Sequence, residues 1–364
     1  MSGITEKERR QAGMVSILVT MLLMIVISLI VLGFAQISRR NQRQALDRQL
    51  STQAFYAAET GVNDARNLIN QAVTAGSSVL PKTDCTNGSG ATAVFYSGLP
   101  NATLDATNKV SYSCLMVNPT PKDLKYGDIT TTGKVVPIVA SSGTISTIKF
   151  SWVSDDATNA TPTTGCPASV VGAFSPTGSW TCGYGVLRFD LVPTSGSLTA
   201  AGLQSSTMTS FIVPFSSGGV SSIPYAASGA NTNNRVGGAC TNAGCNITIT
   251  GLGGSQYYAR ITSIYKNAGS LDIVASDASG NALPLQDAQA LVDATGKAQD
   301  VLRRIQVRIP LTPSSSNLLS DYALETTDAV CKRFVGMDTY FQSYAAAAVS
   351  GLTSITTPPN PFCQ

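Results

Sequence analysis

From Gln11 to Ser38 the chain carries no charged residue. That stretch is longer than the ~20 residues a helix needs to cross a bilayer. Between Met14 and Ala35 only Ser16, Thr20 and Ser28 interrupt the apolar side chains. A helix that is apolar all round is stable in lipid or inside a helix bundle. After Arg39, Arg40 and Arg43 the pattern changes. Leu46, Leu50, Ala54, Ala57, Gly61, Ala65, Leu68 and Ala72 recur at spacings of three and four, which marks one face of an amphipathic helix. The first proline is Pro81, so nothing between Met14 and Asn70 forces a helix to stop. The two patterns together predict one helix of about 60 residues, or ~90 Å at 1.5 Å per residue.

From Gly76 the composition shifts to Ser, Thr, Gly, Asn and Ala, and the period shifts to two. In TIKFSWV, Ile148, Phe150 and Trp152 oppose Lys149 and Ser151. In VLRFDLV, Leu187, Phe189 and Leu191 oppose Arg188 and Asp190. YYARITSIY, LDIVAS, QALVDATG and RIQVRI alternate in the same way. These runs predict half-buried antiparallel strands. The expected fold is α+β: a long N-terminal membrane and amphipathic helix packed on an antiparallel sheet, with a β-rich, disulfide-containing C-terminal region. Gly/Ser stretches set off residues of about 140–235 as a β-sandwich-like insertion.

Charged residues are only 12% of the chain and the net charge is +3, too mild a balance to point to nucleic acid. There is no histidine, which removes the commonest general base, the commonest zinc ligand and every Ser-His or Cys-His pair. No phosphate loop, dinucleotide fingerprint or nucleophile elbow occurs. The sequence therefore predicts no catalytic, cofactor-binding or metal site. All eight cysteines follow the apolar run: Cys85, Cys114, Cys166, Cys182, Cys240, Cys245, Cys331 and Cys363. An even count downstream of a membrane segment argues for disulfides in an oxidising compartment. Pairing of sequence neighbours is the expectation, because each such pair brackets a loop-rich stretch.

A short basic leader ending in glycine, then an apolar helix with an amphipathic second half, resembles a type IV prepilin. The stretch AFYAAETGVNDA (Ala54 to Ala65) is similar to the F-x-A-A-E-x-G segment of PilX-like minor pilins, of the large, cysteine-containing kind seen in candidate phyla bacteria. The resemblance covers residues 1 to about 75, with weaker similarity around YYARITSIY and DVLRRIQVRIP. It implies a leader over 1–13, a pilin helix over 14–75 and an extracytoplasmic globular domain over 76–364. It also implies cleavage by a prepilin peptidase between Gly13 and Met14. Most pilins place a glutamate at the fifth mature position, to offset the N-terminal ammonium of a neighbouring subunit. Here that position is Leu18, which favours a minor or tip subunit over a shaft subunit.

The partners implied are other pilins, the inner-membrane pilus assembly machinery and a host-cell or surface ligand. The location implied is the inner membrane for the precursor and then the pilus or cell surface. A single-pass anchored adhesin and a type II secretion pseudopilin are the competing readings. By the positive-inside rule alone, Arg39, Arg40 and Arg43 would place the C-terminal domain in the cytoplasm, because Glu6 and Glu8 offset Lys7, Arg9 and Arg10. The cysteines place it outside.

Lys297, Arg303, Arg304 and Arg308 form a basic stretch that reads as a solvated strand face more readily than as a DNA contact. DASGN at 277–281 lacks calcium-ligand spacing and reads as a loop. Glu59 is read either as a partner for Arg43 of a neighbouring subunit or as a solvent-facing helix residue.

Overall fold

The computed structural model describes residues 6–85, 90–99, 102–155, 161–168, 180–194, 202, 205–226 and 235–311, with side chains from residue 17 onward. The first element, α1 (Glu6–Thr74), is one unbroken helix of 69 residues. It ends where the chain supplies a left-handed residue. Gly76 has φ +65°, its N–H donates to Val73 O (3.1 Å), and the Ser77 N–H donates to Ala72 O (2.8 Å). This pair of bonds satisfies carbonyls that a helix end would otherwise leave bare. A short helix, α2 (Ala91–Phe95), follows.

The strands that come next are β1 (Thr103–Asp105), β2 (Val110–Asn118), β3 (Leu124–Ile129), β4 (Lys134–Ala140), β5 (Thr147–Ser154), β6 (Val186–Pro193) and β7 (Met208–Phe215). The chain continues through β8 (Ser222–Pro224), β9 (Arg235–Thr241), β10 (Gly244–Thr250) and β11 (Gln256–Ile264). It closes with β12 (Ala268–Ser276), β13 (Leu285–Gln286), β14 (Gln289–Ala298) and β15 (Val301–Pro310). These strands form two sheets.

The smaller sheet, β1-β2-β14-β15, is antiparallel throughout and packs on α1. The helix buries Leu50, Ala54, Ala57, Ala58, Val62, Ala65, Ile69 and Ala72 against it. Two of the expected face positions differ. Leu46 is 51% exposed, and Ile69 rather than Leu68 is fully buried. The reason is the reach of the sheet. Its last apolar contacts at that end, Val110, Ala298 and Val301, meet Leu50 and Ala54, and Leu46 lies a turn beyond them.

Every strand of the larger sheet falls between β2 and β14, so the chain leaves the first sheet at Asn118 and returns at Gln289. Its strands run from Leu124 to Gln286, beyond both ends of the 140–235 stretch. Most pairings are antiparallel. β7 with β9 and β8 with β10 are parallel, which the strand patterns alone did not anticipate. The sheet curls back on itself: Phe150 of β5 stacks on Phe189 of β6 at 5.2 Å although three strands separate them in the sheet. One continuous apolar core fills the space between.

The junction between the sheets is polar and specific. The side chain of Gln289 accepts from Lys125 N (3.1 Å) and donates to Lys125 O (2.7 Å), and Arg308 pairs with Asp123 at 2.8 Å.

Candidate functional site

No metal-holding group of His, Cys, Asp or Glu occurs among the described residues. The side chains that set this molecule apart lie on α1. Its apolar half is long enough to span a membrane, with mean hydropathy 3.0, and none of that window is buried against the rest of the chain. Leu18 belongs to this bare segment and is 64% exposed. Gly13 and Met14 lie within the helical backbone, where side chains are not described.

The AFYAAETG stretch divides by face. Ala57, Ala58 and Gly61 turn to the sheet, while Phe55 (48% exposed), Tyr56 (60%) and Glu59 turn outward. The small residues are there because the sheet comes so close. A Cβ on Gly296 of β14 would stand 1.9 Å from Ala54 O and 2.4 Å from Ala58 N. A Cβ on Gly61 would meet the Tyr112 ring at 3.0 Å. Tyr112 in turn donates its hydroxyl to Asp64 (3.0 Å), and burial, with the Asp64 carboxylate, pushes the phenol's pKa up. A bulge at Ser113 lets β2 stay in register with β14 on either side of Gly296. On the outward face Phe55 and Tyr56 stand exposed among polar neighbours, Thr52, Glu59, Thr60 and Asn63. Glu59 and Arg43 make no ion pair among the described residues.

Three disulfides are formed among the described residues. Cys85–Cys114 ties the chain after α1 to β2, Cys166–Cys182 closes a loop before β6, and Cys240–Cys245 joins directly paired residues of the β9–β10 hairpin. Cys331 and Cys363 lie outside the described residues.

The basic stretch splits. Arg304 Nε donates to both Asp293 oxygens (2.7 and 2.8 Å), and Arg308 is held by Asp123. Arg303 Nε donates to Ser51 Oγ of the helix (2.8 Å), while Lys297 is exposed. The 277–281 segment is a hydrogen-bonded loop. Asp277 accepts from the N–H groups of Asn281 and Ser279, both at 2.9 Å, and the Asn281 amide foremost holds its pKa below the ordinary carboxylate range.

The sequence pattern missed one cluster. Asp190 was expected on the solvent face of β6, but it is only 5% exposed. It sits beneath Arg188 (3.0 Å) and Arg260 (2.8 Å) and accepts from Thr209 (2.8 Å). Arg188 shares its strand, but Thr209 and Arg260 come from the neighbouring strands β7 and β11, 19 and 70 residues away, so no local signal marked the cluster.

The family described as PilX N-terminal matches residues 12–63, a span that takes in most of the apolar run and ends within the Ala/Gly contact with the sheet. Over those residues the helix is similar to the N-terminal helix of PilX-like, type IV pilus-related minor pilins, a structural family whose members assemble with other pilins. No curated protein and no solved structure matches the chain.

Proposed function

We propose that this chain is a non-enzymatic minor pilin that a prepilin peptidase cuts between Gly13 and Met14. The freed helix then leaves the lipid for a bundle formed with other pilins. The exchange is feasible because it trades one apolar surrounding for another. The inner-membrane assembly machinery performs the transfer, and the enlarged β-rich domain faces outward, where it contacts a cell or surface ligand. Leu18 at the fifth mature position favours a starting or tip subunit.

The observation that carries this reading is the PilX N-terminal match on a helix that runs unbroken from a bare apolar half into a half built around its own sheet. The exposed aromatic side chains Phe55 and Tyr56 supply contacts for neighbouring subunits. Mass spectrometry of the native protein tests the proposal. The N-terminus should be Met14, and Gly13→Ala should leave the longer precursor in the membrane. Assembled protein that still began at Met1 or Ser2 would overturn it.

A further inference from the structure

The three arginines that follow the apolar run stand on a particular side of the helix. Arg39 and Arg43 lie three turns below Leu50 and Ala54, and Arg40 lies five turns below Ala58. They therefore continue, toward the membrane, the same azimuth that higher up is buried against the sheet. All three are exposed and make no hydrogen bond or ion pair among the described residues.

The sheet brings more positive charge to the same end. The β14–β15 hairpin and the β1–β2 turn are adjacent, with Gln299 N donating to Lys109 O (3.3 Å). Both point toward the N-terminal half of α1, because Val110, Ala298 and Val301 pack on Leu50. Lys109, Lys297 and Arg303 are exposed there and have no ion pair among the described residues. Ser51, which Arg303 touches, is about 12 Å along the helix from Arg43 at 1.5 Å per residue. Asp47, Asp105 and Asp300 lie at this end as well, and Asp105 is engaged by Thr107 and Asn108 of its own turn. With Arg48, basic groups here outnumber acidic ones by seven to three.

The height of this patch decides what it meets. The headgroup layer extends roughly 5–8 Å beyond each side of the hydrocarbon core. Arg39 to Arg43 covers about 6 Å of helix just past Ser38, where the charge-free run from Gln11 ends. The residues above lie within about a Debye length or two of that layer. We propose that Arg39, Arg40 and Arg43 form a binding site for the phosphates of anionic phospholipids, with Lys109, Lys297 and Arg303 reinforcing it from the overhanging sheet. The proposal rests on α1 lying in the membrane and on nothing else about assembly. It gives the arginines a partner whichever side of the bilayer the domain occupies.

The test uses the full chain in nanodiscs of equal phosphatidylglycerol and phosphatidylcholine, followed by native mass spectrometry of the lipids it retains. Each basic residue at an anionic surface is worth on the order of fivefold in partitioning. The wild type should therefore retain phosphatidylglycerol over phosphatidylcholine by at least about tenfold. Arg39→Gln/Arg40→Gln/Arg43→Gln should abolish the preference with the disulfide map unchanged. Arg304→Gln, whose partner is Asp293, should leave it intact. Equal retention of the two lipids by the wild type, or a preference that survives in the triple variant, would overturn the proposal. A chain that never entered the nanodiscs would count against the membrane helix itself and remove the proposal with it.

Discussion

Gly296 determines how closely the sheet approaches the helix. The space its missing Cβ would need is already taken by the backbone of Ala54 and Ala58, so neither partner has a flexible side chain to move aside. Gly296→Val should lower unfolding stability by about 3 kcal/mol or more, the upper range for forcing atoms into a filled contact. Gly253→Ala, where nothing lies within 4 Å, should change it by less than about 0.5 kcal/mol. Chemical denaturation of both variants measures the contrast, and equal effects would contradict the close approach. Asp277 makes a different kind of prediction. Its pKa is lowered from 3.8 by the Asn281 N–H first, so the loop contact is intact above the ordinary carboxylate range and is lost as pH falls through the lowered value. Its carboxyl carbon, followed by NMR, should titrate below the ordinary value. A midpoint at or above it would mean that the loop bonds do not favour the charged form.

At the scale of elements, the amphipathic half of α1 belongs to the globular fold as much as to the stem. It covers Leu115, Val117, Ala290, Val292, Ala294 and Ile309, each buried beneath it or beside it. Removing the helix at its C-terminal end would bare that whole face of the sheet. A chain starting at Arg39 should be soluble and monomeric with its disulfides formed. One starting at Gly76 should aggregate or unfold, because apolar faces of this extent are not left open on stable monomers. Size-exclusion chromatography of the two separates the cases. A monodisperse, fully oxidised product from Gly76 onward would show that the sheet does not need the helix.

At the scale of the whole molecule, and on the proposal that the chain is cut after Gly13 and assembled with other pilins, Leu18 bears on where the subunit can stand in a filament. A shaft subunit must supply a partner for the ammonium group of the subunit before it, and leucine has no charge to offer. An uncompensated ion in an apolar bundle costs several kcal/mol, and repeated Leu18 subunits would incur that cost at every step. Purified filaments should accordingly carry this protein at far lower abundance than a major pilin, with immunogold label at one end. Leu18→Glu should raise incorporation along the shaft. Uniform shaft labelling of the unaltered protein would refute the tip placement.

The sequence by itself determined everything that depends on neighbours in the chain. The helix was legible because apolar runs and spacings of three and four are local, and its end because composition and period both change from Gly76. Six alternating strands between Thr147 and Ile309 were legible for the same reason, since a period of two is local, whereas β7 to β10 were not read. Tertiary structure alone decided which distant groups meet. Asp190 reads as a solvent-facing residue until Arg260 and Thr209 arrive from other strands. Arg304 and Arg308 read as free charge until Asp293 and Asp123 neutralise them. Gly296 carries no local signal, yet it sets the helix–sheet distance. The extent of the larger sheet, Leu124 to Gln286, follows from pairings such as β13 with β4 that no sequence period encodes. Contacts across long sequence separations depend on how strands are ordered in space, and hydrophobic period says only which face each strand buries.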